Sequence, residues 1–304
     1  MSILVVGTVA FDAIETPFGK TDKIVGGAAT YICLSSSFFS DKINLVSVVG
    51  DDFPNKDIEM LKNKNVDVKG LQIKSGEKTF FWSGKYHQDM NIRDTLDTQL
   101  NVLETFDPIV PKEFKESEIL MLGNLMPSVQ KKVLDQMTKR PKLVVLDTMN
   151  FWMDNFLEDL KEALLEVDVL TINDEEAKQL SEETSLIKAS KKILKMGPKF
   201  LIIKKGEHGA LLFGENKIFY CPALPIEEVL DPTGAGDSFA GGFVGHLEKT
   251  QDFSFENMKR AVIYGSITAS FCVEQFGTER LKEITQDQIQ CRKQNFIDLV
   301  SVEN

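Results

Sequence analysis

Histidine and cysteine are scarce in this chain: 304 residues contain three of the first and four of the second. The cysteines stand apart at Cys33, Cys221, Cys272 and Cys291 with no CxxC pair. That argues against a structural zinc site and for free thiols in a reducing compartment. No stretch approaches the roughly 20 apolar residues of a membrane span. The apolar run at the N-terminus is short and lacks a basic lead, so it does not read as a signal peptide, and the expected location is the cytoplasm. No basic run is present to meet nucleic-acid phosphates, and 35 Lys and Arg are outnumbered by 46 Asp and Glu, for a net charge of −11. Internal repeats and low-complexity tracts are absent as well.

With 42% hydrophobic and 27% charged residues, the composition is that of a globular protein. Short apolar runs recur at 3–9, 44–50, 117–124, 142–148, 167–173 and 199–206. They read as strands buried on both faces. Helical patterns lie between them, for example at 128–139 and 174–197. This alternation predicts an α/β fold: a mostly parallel sheet flanked by helices, with residues 1–304 as one domain. Two segments, about 12–25 and 71–103, break the rhythm with alternating apolar and polar residues and glycine turns. They predict antiparallel strands in a second, smaller sheet beside the main body.

The most informative stretch is DPTGAGDSFAGGFVGHL at 231–247. Pro232, Gly234 and Gly236 shape a turn, and a helix begins near Gly236 or Asp237. Ala240, Gly241, Gly242 and Gly245 are mostly poor helix formers, so close approach to another element explains them better than local stability. Free amides at a helix start make an anion site. Asp237 sits beside it, where it either caps the helix or accepts a proton from a hydroxyl attacking a phosphoryl group. At the positive end of a helix it is expected to be ionised. Other glycine motifs fail on spacing. A dinucleotide fingerprint would need glycine at Phe239, a Walker loop glycine at Ile14, and a hydrolase elbow glycine at Ala240.

DPTGAGD followed by SFAGG resembles the C-terminal signature of the ribokinase-like (pfkB) carbohydrate kinases, and Gly26-Gly27 resembles their first signature. The resemblance spans nearly the whole chain. It implies a Rossmann-like ribokinase fold with a β-sheet lid, formed by the two irregular segments, over the acceptor. It implies ATP and Mg²⁺ as cofactors, with K⁺ as a further candidate. The reaction implied is transfer of the γ-phosphoryl group to a primary hydroxyl of a sugar or sugar-like acceptor.

By position, Asp237 matches the catalytic base, and Gly234, Ala235 and Gly236 match the anion hole. Asn173 and Glu176 match the NxxE pattern that organises Mg²⁺ through water, although the same spacing is a helix capping box. Lys204, Gly206 and Gly209 match the nucleotide loop, with Lys204 where a Thr is usual, and Ser266 falls near a base-contacting position. Asp231 and Thr233 match the monovalent-cation region. On the acceptor side stand Asp12, Gly26, Gly27, Tyr31 and Asn124, with Tyr31 replacing a customary Asn and Ala10 another. A pocket with Phe11, Tyr31 and aromatic residues from 80–82 would suit a purine as well as a sugar ring, so an adenosine-like nucleoside is the alternative acceptor. A homodimer through the lid is a further expectation.

Overall fold

The computed structural model describes residues 1–301. Strand β1 (Ile3–Val6) runs into β2 (Ala10–Thr16), β3 (Gly19–Lys20) and β4 (Ile24–Gly26). Helix α1 (Ala28–Ser36) returns to β5 (Ile43–Gly50), α2 (Asn55–Asn63) and β6 (Val66–Lys74), before β7 (Phe81–Tyr86) and β8 (Arg93–Gln99). Next come β9 (Ile119–Leu122), α3 (Pro127–Asp135), β10 (Leu143–Asp147), α4 (Asn150–Asn155), α5 (Leu157–Leu164) and β11 (Val169–Asn173). Helices α6 (Asp174–Ser181) and α7 (Leu186–Leu194) lead to β12 (Phe200–Lys204) and the hairpin β13 (Ala210–Gly214) and β14 (Lys217–Cys221). The described chain closes with α8 (Ala235–Thr250), α9 (Phe255–Cys272), α10 (Glu279–Glu283) and α11 (Gln286–Val300).

The described residues form a nine-stranded sheet in the order β14-β13-β12-β11-β10-β9-β1-β5-β6. From β12 to β6 every neighbouring pair is parallel, and β13 and β14 add an antiparallel edge. Alternate residues of β1 enter opposite cores. Ile3 and Val5 belong to the core on the side of α1 and α8, and Leu4 and Val6 to the core on the other side, which also holds residues of α3 and α5 to α7. Continuous apolar runs are therefore needed, because neither face of these strands meets water. The chain leaves β1 towards β5 and later crosses to β9 on its other side. Such a reversal opens a crevice at the carboxyl ends of the strands.

The smaller sheet orders its strands β3-β2-β7-β8, with β4 also paired to β2. Its second segment begins at Phe81, not at 71, since residues 66–74 are the edge strand β6 of the large sheet. As an edge strand β6 is only half covered, and it alternates as the smaller sheet does. The β2–β7 pairing is parallel rather than antiparallel. The helical pattern at 174–197 is two helices, broken where Glu182 turns left-handed. Strand β8 is exposed along all of its residues, so the edge on which a second copy would pair is open.

Helices α1 and α8 meet through the small residues of the motif. A Cβ at Gly241 would lie 2.5 Å from the Ile32 carbonyl oxygen and 2.7 Å from Ser35 Cβ. Alanine there would gain about 1 kcal/mol in helix propensity. Forcing two backbones apart costs about 1–3 kcal/mol. Gly241→Ala is therefore expected to destabilise the protein by up to about 2 kcal/mol, read as a lower urea midpoint at unchanged slope.

Candidate active site

The crevice is shaped by the loop before α8. Asp231 is fully buried, and its two carboxylate oxygens accept the Thr233 and Gly277 amides, each at 2.8 Å. It ties two loops together, so the side chain assigned from sequence to a monovalent cation is occupied by protein amides. Gly234 then takes a left-handed conformation (φ 75°) and caps α8. A Cβ there would collide with the Tyr31 ring. Ala235 donates its amide back to the Pro232 carbonyl at 3.2 Å. Among the described residues the amides of Gly234, Gly236 and Asp237 have no partner, and an anion can take them.

Asp237 lies in the first turn of α8, partly buried. Burial pushes its carboxyl up to about 7, and the nearby Asp147 and Glu176 carboxylates add to the rise against the opposing Lys204 and Arg93. The helix end does not keep it fully ionised, as its position in sequence suggested; loss of water and like charge outweigh the dipole. Lys204 Nζ pairs with Asp147 Oδ1 at 2.8 Å, and Thr171 Oγ1 donates to the same oxygen at 2.9 Å. A Cβ on Gly236 would lie 3.0 Å from that ammonium, which places Lys204 directly beneath the turn. Burial works against the ammonium, but Asp147 and Glu176 hold its pKa above the usual lysine value.

Asn173 and Glu176 do form the capping box. Asn173 N donates to Glu176 Oε2 at 2.7 Å, and Glu176 N donates to Asn173 Oδ1 at 2.8 Å. Burial still pushes Glu176 up to about 7, with Asp147 adding to the rise and Lys204 opposing it. Asp12 is buried against Gly26, and desolvation raises it to about 7, with a Gly27 backbone bond opposing and Asp231 and Asp237 reinforcing. Tyr31 is no pocket wall: its ring packs under Gly234 and its buried hydroxyl has no partner among the described residues. Phe11 is likewise core, 5.4 Å from Phe53.

Several positions are occupied by protein partners. Asn124 accepts from Trp152 Nε1 at 2.7 Å and donates to Met149 Sδ at 3.1 Å. Ser266 Oγ shares a 3.4 Å contact with the Cys221 thiol, and Thr233 Oγ1 donates to Tyr86 OH at 3.1 Å. Gly206 opens a short 3-10 turn that Gly209 closes, and Gly206 touches Asn91 from the β7–β8 turn.

Two contributors escaped the sequence. Asp147 carried a weak signal, an acid ending an apolar strand. Arg93 carried none, because only the β7–β8 register brings it near.

The smaller sheet turns one face to this crevice. Asp12 is the register partner of Trp82 across β2 and β7, so the two side chains lie on one face. The Trp82 ring lies over Gly84, and its Nε1 donates to Thr95 Oγ1 at 3.3 Å. An aromatic surface thus stands next to a buried carboxylate.

Residues 2–284 match the pfkB family carbohydrate kinase model. The chain belongs to that family. It is 30% identical over 251 residues to the cytidine kinase of Thermococcus kodakarensis, covering 80% of this chain and 87% of that one. Identity is 26% over 287 residues to a nucleoside kinase of Methanocaldococcus jannaschii, covering 88% and 84%. The Burkholderia thailandensis nucleoside kinase, solved with inosine, superposes with a TM-score of 0.78 over 98% of this chain and 99% of that one at 18% identity. This pfkB member is therefore a phosphotransferase that moves a phosphoryl group from ATP to a hydroxyl of a sugar- or nucleoside-like molecule. No helix of the described residues is long and apolar enough to cross a membrane.

Among the described residues no cluster of three or more His, Cys, Asp or Glu is set to hold a metal. Magnesium bound with nucleotide needs few carboxylates and keeps its waters. Asn173, Glu176 and Asp147 fit that requirement, since carboxylates outnumber cations here and Glu176 is already pushed up.

The acids also affect stability. Asp12 has a folded pKa of about 7 against an ordinary 3.8, so the protonated form favours the fold. Its contribution is full below about pH 4 and lost as pH rises through about 7. Asp12→Asn should therefore melt higher than wild type at pH 8, by about 2–4 °C per kcal/mol recovered, with the gap closing towards pH 4. An equal or lower melting temperature at pH 8 would contradict this.

Proposed function

We propose that this kinase phosphorylates the primary hydroxyl of a nucleoside, with Asp237 as its general base. The observation that carries the acceptor is the pairing of Trp82 with Asp12 on one face of the smaller sheet. A carboxylate can accept hydrogen bonds from the vicinal hydroxyls of a ribose, and an indole face can stack on the attached base. A bare furanose uses only the first of these. The relatives named cytidine kinase and nucleoside kinase support the same choice over the sugar acceptor implied by the signature alone.

In this reading the γ-phosphate lies at the open amides of Gly234, Gly236 and Asp237, with Lys204 beneath. These groups need no reorganisation as charge moves onto the transferring phosphoryl. Magnesium, when bound, would supply positive charge against the phosphates. Asn173 and Glu176 would hold that ion through water, and Gly206 and Gly209 would let the backbone approach the nucleotide. Asp237 accepts the hydroxyl proton, and a pKa near the working pH suits a base that must accept it and later release it. The smaller sheet covers the acceptor and excludes water that would otherwise take the phosphoryl group.

ADP release measured over a panel of nucleosides and free sugars tests the acceptor. Nucleosides should be turned over with kcat/KM at least about tenfold above ribose, the equivalent of 1.4 kcal/mol. Trp82→Ala should raise the nucleoside KM and leave ribose unaffected, since stacking on an aromatic is worth about 1–3 kcal/mol per base. Equal or better use of ribose would return the acceptor to the sugars.

A further inference from the structure

The turn between β7 and β8 brings a cation to the crevice that the site so far has not used. Tyr86 and Arg93 face each other across this antiparallel pair. Directly opposed residues project from the same face of a sheet. Tyr86 is buried there and receives the Thr233 hydroxyl at 3.1 Å, one residue before the left-handed Gly234. Arg93 therefore projects towards the same turn. The loop is not free to wander: Asn91 is bound to Asp89 by its amide and its side chain, at 2.9 and 3.0 Å, and it touches Gly206 of the nucleotide loop.

Arg93 is exposed, and among the described residues its guanidinium has neither a hydrogen bond nor an ion pair. Its charge nevertheless reaches the site: it opposes the rise of both Asp237 and Glu176. The other cation there, Lys204, is already paired with Asp147 at 2.8 Å. A phosphoryl group in flight carries negative charge on its outer oxygens, and a planar fork of donors matches two of them.

We infer that Arg93, carried by the smaller sheet, is a catalytic residue that clamps the transferring phosphoryl group from the side opposite the α8 amides. This rests on the phosphotransfer reading of the site and adds to it. It couples cover to chemistry, because the arginine reaches the phosphate only when the sheet lies over the crevice. Arg93 takes no proton and forms no bond; it holds charge.

Two readouts test it. In ADP release at saturating ATP and acceptor, Arg93→Ala should lose about 100-fold or more in kcat, as removal of one transition-state donor does. Added guanidinium ion should restore part of that loss, and Arg93→Lys should recover little. The second readout needs no acceptor. Binding of MgADP with tetrafluoroaluminate, a mimic of the phosphoryl in flight, should weaken at least about tenfold in Arg93→Ala, while MgADP alone binds as in wild type. If no nucleoside is turned over, the acceptor assignment fails and the tetrafluoroaluminate arm still reports on Arg93. Two results would overturn the inference: kcat within about threefold of wild type, or equal weakening of MgADP and its tetrafluoroaluminate complex.

Discussion

The left-handed turn at Gly234 is the constraint on which the rest of the site depends. It stops the chain after the buried Asp231, starts α8, and leaves amides facing the crevice. Tyr31 fills the space on its inner side, so the turn cannot carry a side chain there. The glycines further along α8 let that helix sit directly on α1, and α1 begins at the end of the smaller sheet. One close contact between helices thus fixes the distance from the anion turn to Asp12.

Charge is the second organising quantity. Asp12, Glu176 and Asp237 are each pushed to about 7, which is the consequence of gathering carboxylates in a site with little water. Protein stability would be better served by neutral residues at these places. The arrangement makes sense for a pocket that receives a polyanion together with its cation, and whose base must be able to let its proton go.

The parts of the fold legible in sequence are those with a local cause. Strands β1, β9 and β10 are apolar without interruption because both faces are buried, and any reader of the sequence meets that directly. The turn at 231–236 is legible because backbone geometry demands glycine. The boundary of the smaller sheet was not, since β6 is a half-exposed edge strand and alternates for that reason. Tyr31 lies in the core rather than in a pocket wall because its surroundings come from residue 234, far along the chain. Asp147 and Arg93 depend on pairing across strands, Arg93 on a register containing an irregularity between Ser83 and Gly84. Pattern within a segment cannot report such contacts.

The most direct measurement of the central claim compares Asp237→Asn with wild type in turnover and in MgATP binding across pH 5–9. The account predicts that wild-type kcat/KM declines below about pH 7, while the variant binds MgATP normally and has lost about 10²–10⁴ of kcat at every pH. A variant that turns over within about threefold of wild type, with the same acid limb, would contradict the assignment of proton transfer to this residue.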